Sequence, residues 1–303
     1  GGVDNMATCL LKHDHFVFIG GVFAHAGNGV RTPHIAKYHL RSKTWSSLGN
    51  GLDSECCALC FDPKTEKLYA GGTFTKSGTT NLGYVGIYNT QTDQWEQLVG
   101  NGLNAPCRSL FLDVSLRQLF AGGLFTSADG VPQTSHIARY DLEHPSWNAL
   151  GQGLQGYCNS IVVHKQWLYA GGTFNCVGNN IAQYDFKTGT WSGLREGVNG
   201  ICNTVCVNTR GQVFVGGSFT SENENDTVLN RIGMYDPMLS QWMPLENHYK
   251  MQNGNTEVGM EEYETGLDSV CKALAVSEEA MYVVGSFQKA GNVDAGCIAK
   301  YKM

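Results

Sequence analysis

The sequence predicts an all-β fold, a six-bladed β-propeller with a three-stranded last blade. Three observations predict it. A Gly-Gly-x-Phe strand recurs along the chain, a Tyr and a Trp seven residues apart follow most copies, and the unit repeats about every 50 residues. A single sheet of this kind cannot bury both of its faces, so successive sheets must stack around an axis.

Composition agrees. The chain has 303 residues, of which 38 are glycine and 11% aromatic, and only 16% are charged, against roughly 25% in ordinary soluble domains. Glycine breaks helices and aromatic residues favour strands, which fits a turn-rich β protein. The formal charge of −6 argues against nucleic-acid binding. No apolar run is long enough to span a membrane.

The first strand of each unit is short and apolar and leads into the Gly-Gly-x-Phe strand, whose copies end at Phe23, Phe74, Phe125, Phe174, Phe219 and Phe287. The last copy carries Val284 in place of the first glycine. Paired glycines there are expected to let aromatics of the next blade approach the backbone. The third strand is "HIAKY", "YVGIY", "HIARY", "NIAQY", "RIGMY" or "CIAKY", with Tyr38, Tyr88, Tyr140, Tyr184, Tyr235 and Tyr301. Turn residues such as "NTQTD" and "DFKTG" then lead to a fourth strand with Trp45, Trp95, Trp147, Trp191 or Trp242. The blades fall near 1–50, 51–101, 102–152, 153–196, 197–265 and 266–303 of a single propeller domain.

This Gly-Gly, Tyr and Trp spacing resembles the kelch repeat. The continuation W-x-x-L-G-x-G-L is closest to a subgroup found in fungal cortical polarity-marker proteins and bacterial secreted propellers. The resemblance implies a propeller fold, a scaffold that hosts binding, assembly and catalysis alike, and it leans towards an extracellular or cell-surface location.

The sixth unit stops at "CIAKYKM" without a Trp strand, while the start "GGVDN" matches the segment that follows such a strand elsewhere. The last blade is therefore expected to have three strands, leaving an edge open to pairing. Loops between the second and third strands, and the connectors between blades, emerge on one side, where binding is expected. The fourth blade has a short loop, "NCVGNN". The connector Glu246–Asp268 is a long acidic insertion with Tyr249 and Tyr263, either a solvated loop or a lid or docking loop. The residues that open the third strands, His34, Tyr84, His136, Asn180, Arg231 and Cys297, are expected to form a polar arc that either caps the backbone or binds a ligand.

Cysteine holds one place in five first strands, at Cys56, Cys107, Cys158, Cys202 and Cys271, with Ala7 in the first blade. Packing explains this structural ring, since buried cysteine behaves as a small hydrophobe. Mostly free, buried thiols are expected, and no metal or other cofactor. His13 and His15 are expected to face solvent. Asn225-Asp226-Thr227 is a glycosylation sequon, weakly pointing to secretion. No serine-hydrolase elbow, zincin or phosphate-loop motif is present. The leading functional expectation is a non-catalytic protein-binding or assembly scaffold. Alternatives are a carbohydrate-active enzyme or glycan binder working on the same side, and a structural subunit pairing through the last blade's edge.

Overall fold

The computed structural model describes residues 1–245 and 265–302, and every regular element among them is a strand. The fold is a six-bladed β-propeller: five four-stranded sheets and a last sheet of three. The chain divides into two compact units, residues 1–161 and 162–303.

The first unit holds three complete blades. They are Ala7–His13, Phe16–Gly21, Ile35–His39 and Thr44–Ser47; then Cys56–Asp62, Lys67–Gly72, Val85–Asn89 and Gln94–Gln97; then Cys107–Asp113, Gln118–Gly123, Ile137–Asp141 and Ser146–Asn148. Each is an antiparallel meander in sequence order. The hairpins close through side chains that replace the missing backbone partners. Asp113 Oδ1 accepts from the backbone N–H groups of Ser115 and Leu116, and Asn89 Oδ1 from those of Gln91 and Thr92.

The unit boundary falls inside the first strand of the fourth blade, Gly156–His164, whose sheet continues with Trp167–Phe174, Ile181–Asp185 and Thr190–Gly193. The second unit adds Cys202–Val207, Val213–Gly217, Ile232–Asp236 and Gln241–Pro244, then Cys271–Val276, Ala280–Gly285 and Ile298–Lys302. The last sheet thus has the three strands its sequence predicts, with Ile298–Lys302 at the edge.

The repeated aromatics pack as the repeat implies. Tyr and Trp face each other directly across the third and fourth strands, for example Tyr88 opposite Trp95 and Tyr235 opposite Trp242. Their ring centroids are 5.4 and 5.2 Å apart. Two of the Trp side chains reach back to the preceding blade: Trp95 Nε1 donates to Leu48 O and Trp242 Nε1 to Leu194 O. All six motif phenylalanines are buried.

The glycine pair works differently from the expectation. What meets the first glycine is a thiol of the following blade, not an aromatic ring. A Cβ on Gly71 would lie 2.7 Å from Cys107 Sγ, on Gly122 2.7 Å from Cys158 Sγ, and on Gly171 2.4 Å from Cys202 Sγ. The second glycine faces its own blade: a Cβ on Gly72 would stand 2.1 Å from Glu55 O. The cysteines at Cys56, Cys107, Cys158, Cys202 and Cys271 are fully buried because each fills the space that a missing Cβ leaves. Cys56, Cys107, Cys202 and Cys271 also sit where a bulge shifts the register of their strands, as between Cys56 and Ala58. His13 corrects another expectation. It is half-buried and stacks on Phe61 with centroids 3.9 Å apart, while His15 is exposed.

Candidate functional site

The end of each sheet that carries the second-to-third strand loop is built by a repeated side-chain clip. A residue in the connector, one past the Gly-Leu or Gly-Val pair, turns a single oxygen onto two backbone N–H groups at the start of the next blade's loop. Asp4 Oδ1 accepts from Ala24 and His25, Asp53 Oδ1 from Thr75 and Lys76, and Asn104 Oδ1 from Thr126 and Ser127. In the second unit Asn199 Oδ1 accepts from Thr220 and Ser221, and Asp268 Oδ1 from Gln288 and Lys289. The residue's own N–H donates back to the loop, as Asp53 N does to Lys76 O. Connector and loop are therefore tied in both directions.

Electrostatics follow the same pattern. Backbone donors at His25 hold the Asp4 carboxyl down to about 2. At Asp53 burial pushes the value up, but the N–H groups of Lys76 and Thr75 outweigh it and the carboxyl titrates below its ordinary value. Asp268 is lowered chiefly by the Lys289 N–H.

The clipped loops fold into small ribbons, His25–Ala26 with Val30–Arg31, Lys76–Ser77 with Thr80–Asn81, and Lys289–Ala290 with Val293–Asp294. The fifth-blade loop is organised by Glu222 instead. Its buried carboxylate accepts from the N–H groups of Glu224 and Asn225 and from Thr227 Oγ1. Arg195 ties the same loop down through a paired contact with Glu224 and a hydrogen bond to Ser240 O. Asn225, the sequon asparagine, is exposed in this loop. In the fourth blade the short loop joins the connector through Asn179 N to Glu196 O and Val198 N to Asn179 O.

The six residues before the third strands share a backbone state the sequence did not disclose. His34, Tyr84, His136, Asn180, Arg231 and Cys297 all have positive φ, between 63 and 73°. Left-handed backbone costs a residue with a side chain roughly 1–2 kcal/mol, and hydrogen bonds hold it here. The second glycine's N–H donates to each of these carbonyls, as Gly21 N does to His34 O and Gly217 N to Arg231 O. The side chains go separate ways. His34 Nδ1 lies 3.2 Å from Gly21 O, Asn180 Nδ2 donates to Val198 O, and Arg231 to Leu267 O. Tyr84 packs on the core of the first unit, and Cys297 is exposed. His136 stands edge-on to Tyr157 at 5.5 Å, with burial lowering its imidazole and its Nδ1 left without a partner. Tyr249 and Tyr263 lie outside the described residues.

Apolar residues that the motifs did not single out stand at the start of first strands on this end: Met6 and Tyr157 in the first unit and Ile201 in the second, all exposed. They occupy the place just before the cysteine ring and alternate away from it, a pattern legible only once the bulge is placed. At the opposite end of the sheets, Asp62 and Arg117 form a buried ion pair at 2.7 Å between the second and third blades. Burial raises the Asp62 carboxyl, but hydrogen bonds from Thr65 and Arg117 outweigh it and hold the group charged.

Residues 51–165 match the family model of the Rax2 C-terminal beta propeller domain. The span covers the second and third blades and runs into the first strand of the fourth, so the resemblance to polarity-marker propellers read from the repeat is matched there. No curated protein matches the chain. Among solved structures, the computationally designed Ika8 protein is similar over 98% of this chain and 83% of its own, with a TM-score of 0.54 and 14% identity, a likeness of fold alone.

Proposed function

We propose that this chain is a non-catalytic scaffold that holds a partner protein on the loop-bearing end of its blades, at a cell surface or outside the cell. The observation that carries the reading is the repeated clip. Oxygens of Asp4, Asp53, Asn104, Asn199 and Asp268 order five loops before anything binds, and pre-ordering reduces the entropy a partner must overcome. The loops differ in sequence while the clips do not, the arrangement of a rigid frame with variable contacts. The partial match to the Rax2 propeller model supports the same reading.

The test is affinity capture of a partner from the source material, followed by reconstitution with the purified partner. Lys76→Glu and Val228→Asp alter exposed loop positions, and Leu116→Asp and Met238→Asp alter exposed turns at the other end. The first pair is expected to weaken binding at least about tenfold, roughly 1.4 kcal/mol, and the second pair to leave it unchanged. The reverse pattern refutes the placement. Retention of a glycan and hydrolysis of it, with no protein partner, would move the reading to a carbohydrate-active protein.

A further inference from the structure

Only the first blade breaks the cysteine pattern. It has Ala7 at the ring position and Cys9 two residues on, whereas the second blade has Cys56 and then Ala58. The other first strands hold Ser109, Ser160, Thr204 and Ala273 at the Cys9 place. The exchange puts two thiols over one glycine. A Cβ on Gly20 would lie 2.5 Å from Cys9 Sγ and 2.7 Å from Cys56 Sγ, whereas on Gly71 and Gly122 the nearest sulfur is the ring cysteine alone. Cys9 Sγ also donates to Cys56 O at 3.5 Å. Thr8 Oγ1 donates to the same carbonyl at 2.6 Å, which fixes the two first strands side by side.

We infer that Cys9 and Cys56 are a site of disulfide formation that staples the first blade to the second. The two residues come from neighbouring strands 47 positions apart, so the bond would close a long loop of the unfolded chain. All eleven cysteines are thiols in this structure.

The chemistry is thiol–disulfide exchange with a small disulfide such as glutathione disulfide. Cys9 is half-buried and Cys56 fully buried, so the oxidant meets Cys9 first. The Cys9 thiolate attacks one sulfur of glutathione disulfide, forming a mixed disulfide and releasing one glutathione. Cys56 then loses its proton and attacks Cys9 Sγ, which breaks the bond to the second glutathione and releases it. Two protein thiols are oxidised and one glutathione disulfide is reduced to two glutathiones. Burial raises the Cys56 thiol, so the second step is the slow one.

The experiment uses the native full chain, incubated with reduced glutathione or with glutathione disulfide, then denatured and alkylated. Eleven alkylated cysteines are expected after reduction and nine after oxidation, with a digest showing a peptide that links Cys9 to Cys56. The melting midpoint is expected to rise about 5 °C on oxidation. Cys9→Ala keeps the ring cysteine and places a residue used at the same position in the second blade. This variant should fold, show ten alkylated cysteines under both conditions and lose the midpoint shift. Eleven alkylated cysteines after prolonged oxidation of the parent protein would overturn the inference, as would a peptide linking Cys9 to the neighbouring Cys57.

Discussion

Tyr69 and Tyr282 occupy the same place in the second strands of their blades, yet Tyr69 is 3% exposed and Tyr282 44%. The residues that begin the third strands behave alike: Ile35, Val85, Ile137, Ile181 and Ile232 are fully buried, while Ile298 is 59% exposed. Register places Val284 opposite Ile298 and Tyr282 opposite Lys300, so these side chains share one face of the last sheet. Each blade thus carries the same apolar face, buried in the first five and exposed in the last. The last sheet also departs from the repeat at Val284, which holds the place of the glycine that meets a thiol in the other five.

The largest expected contrast is between the two tyrosines. Tyr69→Ala should cost about 3–5 kcal/mol by leaving a cavity, and Tyr282→Ala within about 1 kcal/mol, read from urea unfolding of the full chain. Equal losses would mean that something covers the last sheet in solution. The ion pair beside Tyr69 gives the next effect. Arg117→Ala leaves the Asp62 carboxylate buried without its cation, at a cost of about 3 kcal/mol. Asp62 is depressed, so its contribution is present above the ordinary carboxylate value and fades as pH falls through the lower folded value. The loss in Arg117→Ala should therefore shrink in acid.

A smaller contrast tests the glycine. Gly71→Ala should cost about 1–3 kcal/mol because its Cβ overlaps Cys107 Sγ, while Val284→Ala should change stability by less than about 1 kcal/mol. A neutral Gly71→Ala would show that the thiol can move aside. The smallest effect separates the clips. Asp53→Ala should cost about 1 kcal/mol, as for a lost helix cap. The Asp53 clip holds above its unfolded value of 3.8 and weakens as pH drops through its lower folded value. The Asn104 clip does not titrate. Amide shifts of Thr75 and Lys76 should therefore move below that pH while those of Thr126 and Ser127 stay, and parallel movement would show a general loosening instead.

Much of this architecture was legible. Gly-Gly-x-Phe, Tyr and Trp placed the strands and the cross-strand Tyr–Trp pairs, because a period-two pattern and turn residues are local properties. The three-stranded last blade followed from the missing Trp. The candidate site was less legible. Asp53 and Asn104 each follow a Gly-Leu pair, but nothing local says that their oxygens reach two N–H groups some twenty residues on. The positive φ of His34 or Tyr84 was hidden for the same reason, since a side-chain-bearing residue in left-handed backbone is held there by partners distant in sequence. The cysteine ring reads as packing, but the expected aromatic neighbour of the glycine pair is a thiol instead, because the thiol and the glycine it covers lie on different blades.

The sequence by itself determined the all-β fold, the number of blades and the short last sheet, because these depend on spacing along one chain. Which side chains are covered, which loops are tied down and which two thiols share a glycine were decided only by tertiary structure. Those properties depend on distances between segments about one blade apart, and a repeat specifies each segment without specifying what its neighbour presents to it.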